Sequence, residues 1–282
     1  MATMDNYNLV KHQQGGINKR SAPLLLGHRG ARAEMTENMP AAITHVCHLQ
    51  AYGLSGIEFD VQLSADGQLV IFHDDSLVRL AGHQSRVDQL TLAEIRRVRI
   101  QGQSIFALND LLTYPLQPNP LTPNAAASYL PSSIYQAMMS FEHIELEVKT
   151  HERTNYSALL RALEDSLIGS QIAQLPIVLT SFDQQLLALL PLNRKLSAIP
   201  RGLLSENPAM MADLGHIARR LGCSQVGIYY PLIDAVLMRR CHRLDLSVSA
   251  WTVNDVDEAR RLRKLGVDTL ITDYPTAFIT SL

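Results

Sequence analysis

Proton-transfer groups, an anion-binding cation and ligands for a hard metal ion are concentrated in residues 27–74 of this chain. They lie in four short motifs, each close to an apolar run: Gly27-His28-Arg29-Gly30, Glu37-Asn38, Glu58-Phe59-Asp60 and His73-Asp74. Imidazole exchanges protons near neutral pH, a guanidinium binds phosphate oxygens through paired hydrogen bonds, and carboxylates bind hard cations. Together these groups are what the hydrolysis of a phosphate ester requires.

The carboxylates predict a metal site. Glu58 and Asp60 are two residues apart on a predicted strand, so both side chains point to the same face. Like charges that point into a protein interior are costly to desolvate, and a divalent cation compensates for them. Glu147 offers a third carboxylate from a later strand, and an all-oxygen set favours Mg²⁺ or Ca²⁺ over zinc. The alternative is a polar strand end that contacts solvent or an arginine.

Two histidines and two cations complete the predicted chemistry. His28 and His73 are the candidate general acid and base, because both are expected at strand ends beside the carboxylates. Arg29 can bind a phosphate through two hydrogen bonds, or it can instead form a salt bridge with Glu37 that frames the site. Lys149, at the end of the Glu147 strand, can attract a phosphate oxygen as a point charge.

Short apolar runs alternate with longer helical stretches along the chain. The predicted strands are Leu24–Gly27, Ile57–Val61, Ile144–Val148, Ile177–Thr180, Ser197–Leu204, Val226–Tyr230, Ser247–Val253 and Thr269–Thr272. Eight βα units predict a (β/α)8 TIM barrel, in which the chemistry occurs at the carboxyl ends of the strands. Residues with polar or aromatic side chains fall at or just beyond such ends: His28, Glu58, Asp60, Lys149, Ser181, Trp251 and Asp273.

A ninth apolar run, Leu69–Phe72, follows the turn signal Asp66-Gly67. Asp-Gly favours a two-residue hairpin turn, because both of its residues can adopt positive φ. Counting pairs outward from that turn predicts that Asp60 lies directly opposite His73. The hairpin would therefore extend the second barrel strand and return His73 to the carboxylates.

The chain divides into a polar N-terminal tail over residues 1–22 and a single barrel domain over residues 23–282. An inserted segment after the second strand occupies about residues 75–140. Within it, Tyr114–Pro131 contains five prolines and few helix-forming residues, which predicts an irregular surface loop.

Composition excludes several classes of protein. A formal net charge of −2 gives no general attraction to nucleic acid or to an anionic membrane. No run approaches the roughly 20 apolar residues that cross a bilayer, and the first 22 residues lack the apolar core of a signal peptide. Cys47, Cys223 and Cys241 are odd in number and far apart, which favours a reducing compartment. We expect a cytoplasmic protein without stable membrane insertion, and the oligomeric state stays open.

The order and spacing of the four motifs resemble those of the glycerophosphodiester phosphodiesterase family. The family pattern of an acidic residue two positions before a lysine corresponds to Glu147 and Lys149. Later matches are Ser181-Phe182, Trp251-Thr252-Val253-Asn254 and Thr272-Asp273-Tyr274-Pro275. The resemblance covers residues 23–282 and is weakest over residues 75–140. The chain departs from the family at Thr36 and Met39, where proline and threonine are common.

The resemblance implies metal-dependent hydrolysis of small-molecule glycerophosphodiesters to an alcohol and sn-glycerol 3-phosphate. The implied catalytic residues are His28 and His73, and the implied ligands of Mg²⁺ or Ca²⁺ are Glu58, Asp60 and Glu147. The implied substrate-binding residues are Arg29, Glu37, Lys149 and Trp251. The nucleophile is either water or the neighbouring glycerol hydroxyl, and Trp251 either packs on the glycerol or belongs to the core.

Two alternatives stay open at this point. One is a related phospholipase D-like enzyme that cleaves lysophospholipids, which would require an apolar patch around the barrel mouth. The other is a catalytically silent barrel that serves as a binding module. The presence of both histidines and all three carboxylates argues against silence, since a non-catalytic relative would be free to lose them.

Overall fold

The computed structural model describes residues 22–118 and 131–282, and all structural statements concern these residues. The strands are β1 (Leu24–His28), β2 (Gly56–Leu63), β3 (Leu69–Ile71), β4 (Arg99–Ile100), β5 (Gln103–Ser104), β6 (His143–Val148), β7 (Ile177–Ser181), β8 (Arg201–Ser205), β9 (Gln225–Tyr229), β10 (Ser247–Trp251) and β11 (Thr269–Thr272). The α-helices are α1 (Pro40–Leu49), α2 (Val78–Ala81), α3 (Leu92–Ile95), α4 (Ile134–Met138), α5 (Tyr156–Leu167), α6 (Gln184–Leu189), α7 (Leu214–Arg220), α8 (Ala235–Arg243), α9 (Val256–Leu265) and α10 (Pro275–Ser281).

Eight of these strands form a closed parallel barrel. The order around it is β1, β2, β6, β7, β8, β9, β10 and β11, and β11 pairs with β1 to close the ring. The predicted (β/α)8 barrel is therefore confirmed, and each of the eight predicted strands is present. The largest difference in bounds is at β8, which begins at Arg201 rather than at Ser197. Residues 197–199 instead form a turn, in which the Ser197 N–H donates to the Asn193 carbonyl at 2.9 Å.

The register of the barrel sets the acidic side chains of β2 and β6 side by side. Glu58 pairs with Glu145 and Asp60 pairs with Glu147. Because side chains alternate along a strand, residues paired in this way share the inner face of the barrel. The alternate residues of β2 are apolar and fully buried in the main hydrophobic core: Ile57, Phe59 and Val61. Burial of that outer face fixes which side chains face inward.

The hairpin between β2 and β3 forms, but its predicted register is wrong by one residue. Val61 pairs with Ile71, and the Phe72 N–H donates to the Asp60 carbonyl at 3.2 Å, so Phe72 rather than His73 lies opposite Asp60. The reason is the turn: Ser64 N–H bonds the Gln68 carbonyl at 2.9 Å across a three-residue loop. Such loops place a residue with positive φ last, and a two-residue turn does not form here.

The insertion after β3 contributes most of a second hydrophobic cluster, separate from the main core. Its buried members are Met39, Val70, Phe72, Leu77, Val87, Ile95, Ile100 and Ile105. Val70 and Phe72 belong to the β3 end of the hairpin, so the insertion packs directly on the extension of β2. Most of the predicted irregular loop Tyr114–Pro131 and nearly all of the predicted tail lie outside the described residues. Among the described residues, no helix has both the length and the apolar character needed to cross a bilayer.

The turn residue Gly67 generates a stability prediction. Its φ is +77°, and a Cβ added to it would meet no atom within 4 Å, so a substitution there tests backbone strain alone. We expect Gly67→Val to lower the free energy of unfolding by about 1–2 kcal/mol, measured by urea denaturation. Gly67→Asn is the matched control and should cost less, since asparagine tolerates this conformation. Equal stability of both variants and the wild type would contradict the account of the turn.

Candidate active site

A cavity of about 440 Å³ opens at the carboxyl ends of the barrel strands. Its lining comes from seven of the eight barrel strands and the loops that follow them. The charged and histidine members of that lining are His28, Arg29, Arg32, Glu58, His73, Glu145, Glu147, Lys149 and Glu206. Its aromatic and aliphatic members are Phe182, Leu204, Trp251 and Ile271. The barrel therefore brings together residues that are up to 243 positions apart, from His28 to Ile271.

The carboxylates of Glu58, Asp60 and Glu147 converge at the wall of this cavity, which Glu58 and Glu147 line. Each offers a carboxylate oxygen, and these oxygens lie within 4.8 Å of one another. Burial and the charges of the other two carboxylates raise the pKa of Glu58 well above its usual range. Burial and Asp60 likewise raise the pKa of Glu147 to about 7. The cluster therefore favours an added positive charge.

Two cations of the protein partly balance this cluster. Lys149 Nζ lies 2.5 Å from Glu147 Oε1 and 3.2 Å from Asp60 Oδ1. Arg29 Nε lies 3.4 Å from Asp60 Oδ2, and the Arg29 backbone N–H donates to Glu58 Oε2 at 3.0 Å. Burial opposes the ionisation of Asp60, but Lys149 and Arg29 hold its pKa below the usual range.

The cluster fits a hard divalent cation on three grounds. Its donors are all oxygen atoms, and three carboxylates face only two cationic side chains. Asp60 Oδ1 is also buried without a hydrogen bond from any described residue, although Lys149 is close enough to form an ion pair with it. An oxygen in this state can still accept a metal ion.

His28 is oriented by the strand that closes the barrel. Its Nδ1 lies 2.6 Å from Asp273 Oδ1, and the Asn254 amide donates to the other oxygen of Asp273 at 2.8 Å. His28 Nε2 lies 3.8 Å from Glu58 Oε2, on the cavity side. Burial lowers the pKa of His28 below its usual value, although Asp273 partly opposes this shift. Burial thus favours the neutral imidazole, and Nε2 is the nitrogen that faces the cavity.

His73 has a similar arrangement in the hairpin extension. Its Nδ1 lies 2.7 Å from Asp74 Oδ1, and Asp74 in turn forms an ion pair with Arg79 Nε at 2.6 Å. Burial lowers the pKa of His73, and the nearby charge of Asp60 partly opposes this shift. Both candidate histidines thus have one nitrogen engaged by a carboxylate and line the same cavity.

Glu37 does not line the cavity. Its carboxylate is 4% exposed and is held by three arginines: Arg29 Nη1 at 2.8 Å, Arg79 Nη2 at 2.6 Å and Arg32 Nε at 3.2 Å. The salt bridge between Arg29 and Glu37, one of the two alternatives that the sequence left open, is therefore present. Glu37 lies behind Arg29, whereas the guanidinium of Arg29 is on the cavity wall.

An aromatic group lies on the opposite wall. The Trp251 ring is 5.5 Å from Phe182, nearly edge to face, and 5.9 Å from Tyr229 between ring centroids. Phe182 and Tyr229 are 43% and 41% exposed, so these rings reach the barrel mouth. Lys149 Nζ lies 5.9 Å from the centre of the Phe182 ring and connects this wall to the acidic cluster. Trp251 is thus part of the cavity surface and packs on other aromatic rings.

Several site residues were not identified from the sequence in their observed roles. Asn38 donates to Asp60 Oδ2 at 2.8 Å, from a backbone with φ of +59°. Asp273 was expected at a strand end, but its contact with His28 follows from the β1–β11 register, in which Gly27 pairs with Thr272. A parallel register between the first and last strands has no local signal in the sequence.

The fold and the cavity define the chain as a (β/α)8-barrel enzyme. Comparison of its sequence with known families identifies the enzyme family. Residues 28–277 match the glycerophosphoryl diester phosphodiesterase family, a span that includes every residue of the site. The chain belongs to this family and is a phosphoric diester hydrolase.

Individual relatives are distant but match over nearly their whole length. A glycerophosphodiester phosphodiesterase of Caldanaerobacter subterraneus is 24% identical over 91% of this chain and 96% of its own. The human lysophospholipase D GDPD1 is 23% identical over 89% of this chain and 83% of its own. The solved structure of an Oleispira antarctica phosphodiesterase with its product sn-glycerol-3-phosphate has a TM-score of 0.74. It is 22% identical and covers 92% of this chain and 96% of that one, which supports the shared fold.

The contact between His28 and Asp273 predicts a change in titration. The Asp273 carboxylate raises the pKa of His28 against the lowering effect of burial. Asp273→Asn removes that charge, so the pKa of His28 should fall further and the imidazole should stay neutral to lower pH. NMR titration of the His28 ring resonances measures this. Asp268→Asn, whose carboxylate contacts His242 at 2.9 Å, is the matched control and should leave the His28 curve unchanged. An unchanged His28 pKa in Asp273→Asn would contradict the contact.

Proposed function

We propose that this enzyme hydrolyses glycerophosphodiesters to an alcohol and sn-glycerol 3-phosphate with the aid of a divalent cation. The observation that carries the proposal is the convergence of three carboxylates and two carboxylate-paired histidines at one cavity. Membership of the family supports the substrate class. The product bound to the Oleispira antarctica relative, sn-glycerol-3-phosphate, supports the same class of substrate.

Glu58, Asp60 and Glu147 would bind Mg²⁺ or Ca²⁺. When bound, the cation supplies positive charge that stabilises the charge developing on the phosphate. Deprotonation of Glu147, whose pKa is raised to about 7, accompanies the use of its carboxylate as a ligand. Asn38 keeps the Asp60 oxygens oriented through its amide.

Arg29 and Lys149 would bind the phosphate oxygens. Both cations line the cavity, and both keep their charge, because the surrounding carboxylates raise their pKa values although burial opposes this. Glu37 would act through Arg29, since it binds the guanidinium from behind and leaves the cavity side for the phosphate. Trp251 would pack against the glycerol or the alcohol portion of the substrate.

His28 and His73 would transfer the protons. The Asp273 and Asp74 carboxylates accept the Nδ1–H hydrogen bonds, so Nε2 of each ring is the atom that exchanges a proton with the reactants. One neutral imidazole accepts the proton of the nucleophile, which is water or the neighbouring glycerol hydroxyl. The other, in its protonated form, donates a proton to the oxygen of the leaving alcohol.

A second candidate substrate is a lysophospholipid. That alternative requires an apolar patch at the barrel mouth, and Phe182, Tyr229 and Tyr274 are 43%, 41% and 43% exposed just at or after the ends of their strands. The human relative named lysophospholipase D supports this candidate as well. Its chemistry would use the same carboxylates and histidines.

We also propose a cytoplasmic location. Cys47, Cys223 and Cys241 are buried and free of disulfides, and burial raises the pKa of each thiol. Unpaired cysteines suit a reducing compartment.

A substrate panel tests the proposed function. The purified enzyme is offered glycerophosphodiesters with different alcohols, and lysophospholipids, with Mg²⁺ or Ca²⁺, and the released sn-glycerol 3-phosphate or alcohol is measured. We expect turnover of the glycerophosphodiesters, loss of activity in excess chelator and recovery on readdition of metal. Glu147→Gln should need more metal for the same rate. Faster turnover of lysophospholipids would favour the second candidate substrate. Full activity in excess chelator would exclude a metal-dependent mechanism. No turnover of either substrate class would refute the proposed function.

The two histidines generate a kinetic prediction. His28→Ala and His73→Ala should each lower kcat on a glycerophosphodiester by roughly 10²–10⁴-fold, the usual scale of general acid–base catalysis. On a substrate that releases p-nitrophenol, which leaves without a proton from the enzyme, the variant that lacks the general acid should lose far less. This comparison assigns the two roles. His216→Ala, which changes a histidine outside the cavity lining, is the control. Near-normal rates in both variants would show that the histidines are structural.

A further inference from the structure

We infer that Arg79, in the insertion after β3, is a positioning residue that holds His73 and Arg29 in their working geometry. The inference rests on the proposed function, because it assigns a role within that same site. Arg79 lies on α2, and its guanidinium does not line the cavity.

The guanidinium of Arg79 binds two carboxylates at once. Its Nε and Nη2 donate to the two oxygens of Asp74 at 2.6 and 3.0 Å. Its Nη1 and Nη2 donate to the two oxygens of Glu37 at 3.0 and 2.6 Å. Paired hydrogen bonds of this kind fix the plane and direction of both partners, which a single contact does not.

Each of these carboxylates contacts a residue of the cavity wall through its other hydrogen bonds. Asp74 Oδ1 accepts from His73 Nδ1 at 2.7 Å, and Glu37 Oε1 accepts from Arg29 Nη1 at 2.8 Å. One carboxylate therefore connects Arg79 to a proposed proton-transfer group, His73, and another connects it to a proposed phosphate-binding group, Arg29. His73 follows β3 and Arg29 follows β1, so Arg79 connects two separate segments and fixes their relative positions.

Charge explains why a cation is needed between them. The carboxylates of Glu37 and Asp74 lie with His73 inside a group of ligand atoms that are all within 4.8 Å of one another. Two carboxylates at that spacing repel each other unless a cation separates them. Hydrogen bonds and charge from Arg79 help to hold the pKa of both below the usual range against the effect of burial. The guanidinium thus keeps both groups ionised and oriented as acceptors.

The adjacent packing holds Arg79 in place. Leu77, two residues earlier, is fully buried in the hydrophobic cluster of the insertion, and Gly82 ends α2 with φ of +66°. The insertion thereby connects its own core to the catalytic wall through one side chain. Because the Arg79 side chain is 43% exposed, a small solute can enter from solvent the space that its guanidinium occupies when the side chain is removed.

Kinetics of Arg79 variants test this role. Arg79→Ala should lower kcat on a glycerophosphodiester by about 10- to 100-fold, the usual effect of losing a residue that orients catalytic groups. Its KM should also rise, because Arg29 loses its fixed partner. Free guanidinium at millimolar concentration should raise the kcat of Arg79→Ala several-fold above the same concentration of sodium chloride, and it should not raise that of the wild type. Arg79→Lys keeps the charge without the paired hydrogen bonds and should be intermediate.

Arg96 provides the matched control. Its side chain is 46% exposed and binds both oxygens of Asp110 at 2.6 and 2.8 Å within the same insertion, without a contact to the site. Arg96→Ala should change Tm about as much as Arg79→Ala but leave kcat and KM unchanged. Equal kcat in Arg79→Ala and Arg96→Ala, or no response to guanidinium, would overturn the inference.

Failure of the proposed function and failure of this inference give different results. An inactive wild type would remove the proposed function and this inference together. An active wild type with an equally active Arg79→Ala would remove only the inference. If Arg79→Ala does not fold, Arg79→Lys decides, since wild-type kinetics in that variant would show that the paired hydrogen bonds are not required.

Discussion

Repulsion among buried carboxylates is the constraint on which the rest of this structure depends. The oxygens of Glu58, Asp60 and Glu147 lie within 4.8 Å of one another at the carboxyl end of the barrel, where Glu58 and Asp60 are buried. In such surroundings a charge without a partner is expensive. Lys149, Arg29 and the Asn38 amide each contact this cluster, and a hard divalent cation suits the negative charge that is left over. The features that make the cluster costly are those that a bound cation would relieve.

Closure of the barrel is what makes the site complete. β1 pairs with β2 on one side and with β11 on the other, so the strand that carries His28 lies between Glu58 and the residue that follows β11, Asp273. A barrel that did not close would leave His28 without its carboxylate and Glu58 without its neighbour. The β1–β11 pairing therefore affects both stability and the site, because the hydrogen bonds that close the barrel also place Asp273 beside His28.

The insertion after β3 both packs on the barrel and contacts residues of the site. It shares a hydrophobic cluster with the hairpin extension of β2, and it supplies Arg79 to the carboxylates that contact His73 and Arg29. The resemblance to the family is weakest in this segment, so the sequence alone did not predict a role for it in the site. Barrel enzymes vary their loops more freely than their strands, and a loop can still contain a residue on which the geometry of the strands depends.

The sequence by itself determined the strands, the barrel and the position of the chemistry. These depend on local patterns: apolar runs of strand length, acidic residues at alternate positions in β2 and β6, and charged residues where each run stops. The carboxylate cluster could be predicted in this way, since Glu58 and Asp60 share a face in any strand. The two histidines could be predicted as well, because they follow apolar runs directly.

Only the tertiary structure decided the partners of those residues. The register at Asp60 depended on whether the chain turned through two or three residues at Gly67, a difference that shifts every pair by one position. The contacts of His28 with Asp273 and of Arg79 with Glu37 join segments far apart in sequence. Such contacts arise from packing and charge balance in the closed barrel, and no local pattern specifies them, because each side chain meets its partner only after the strands between them have assembled.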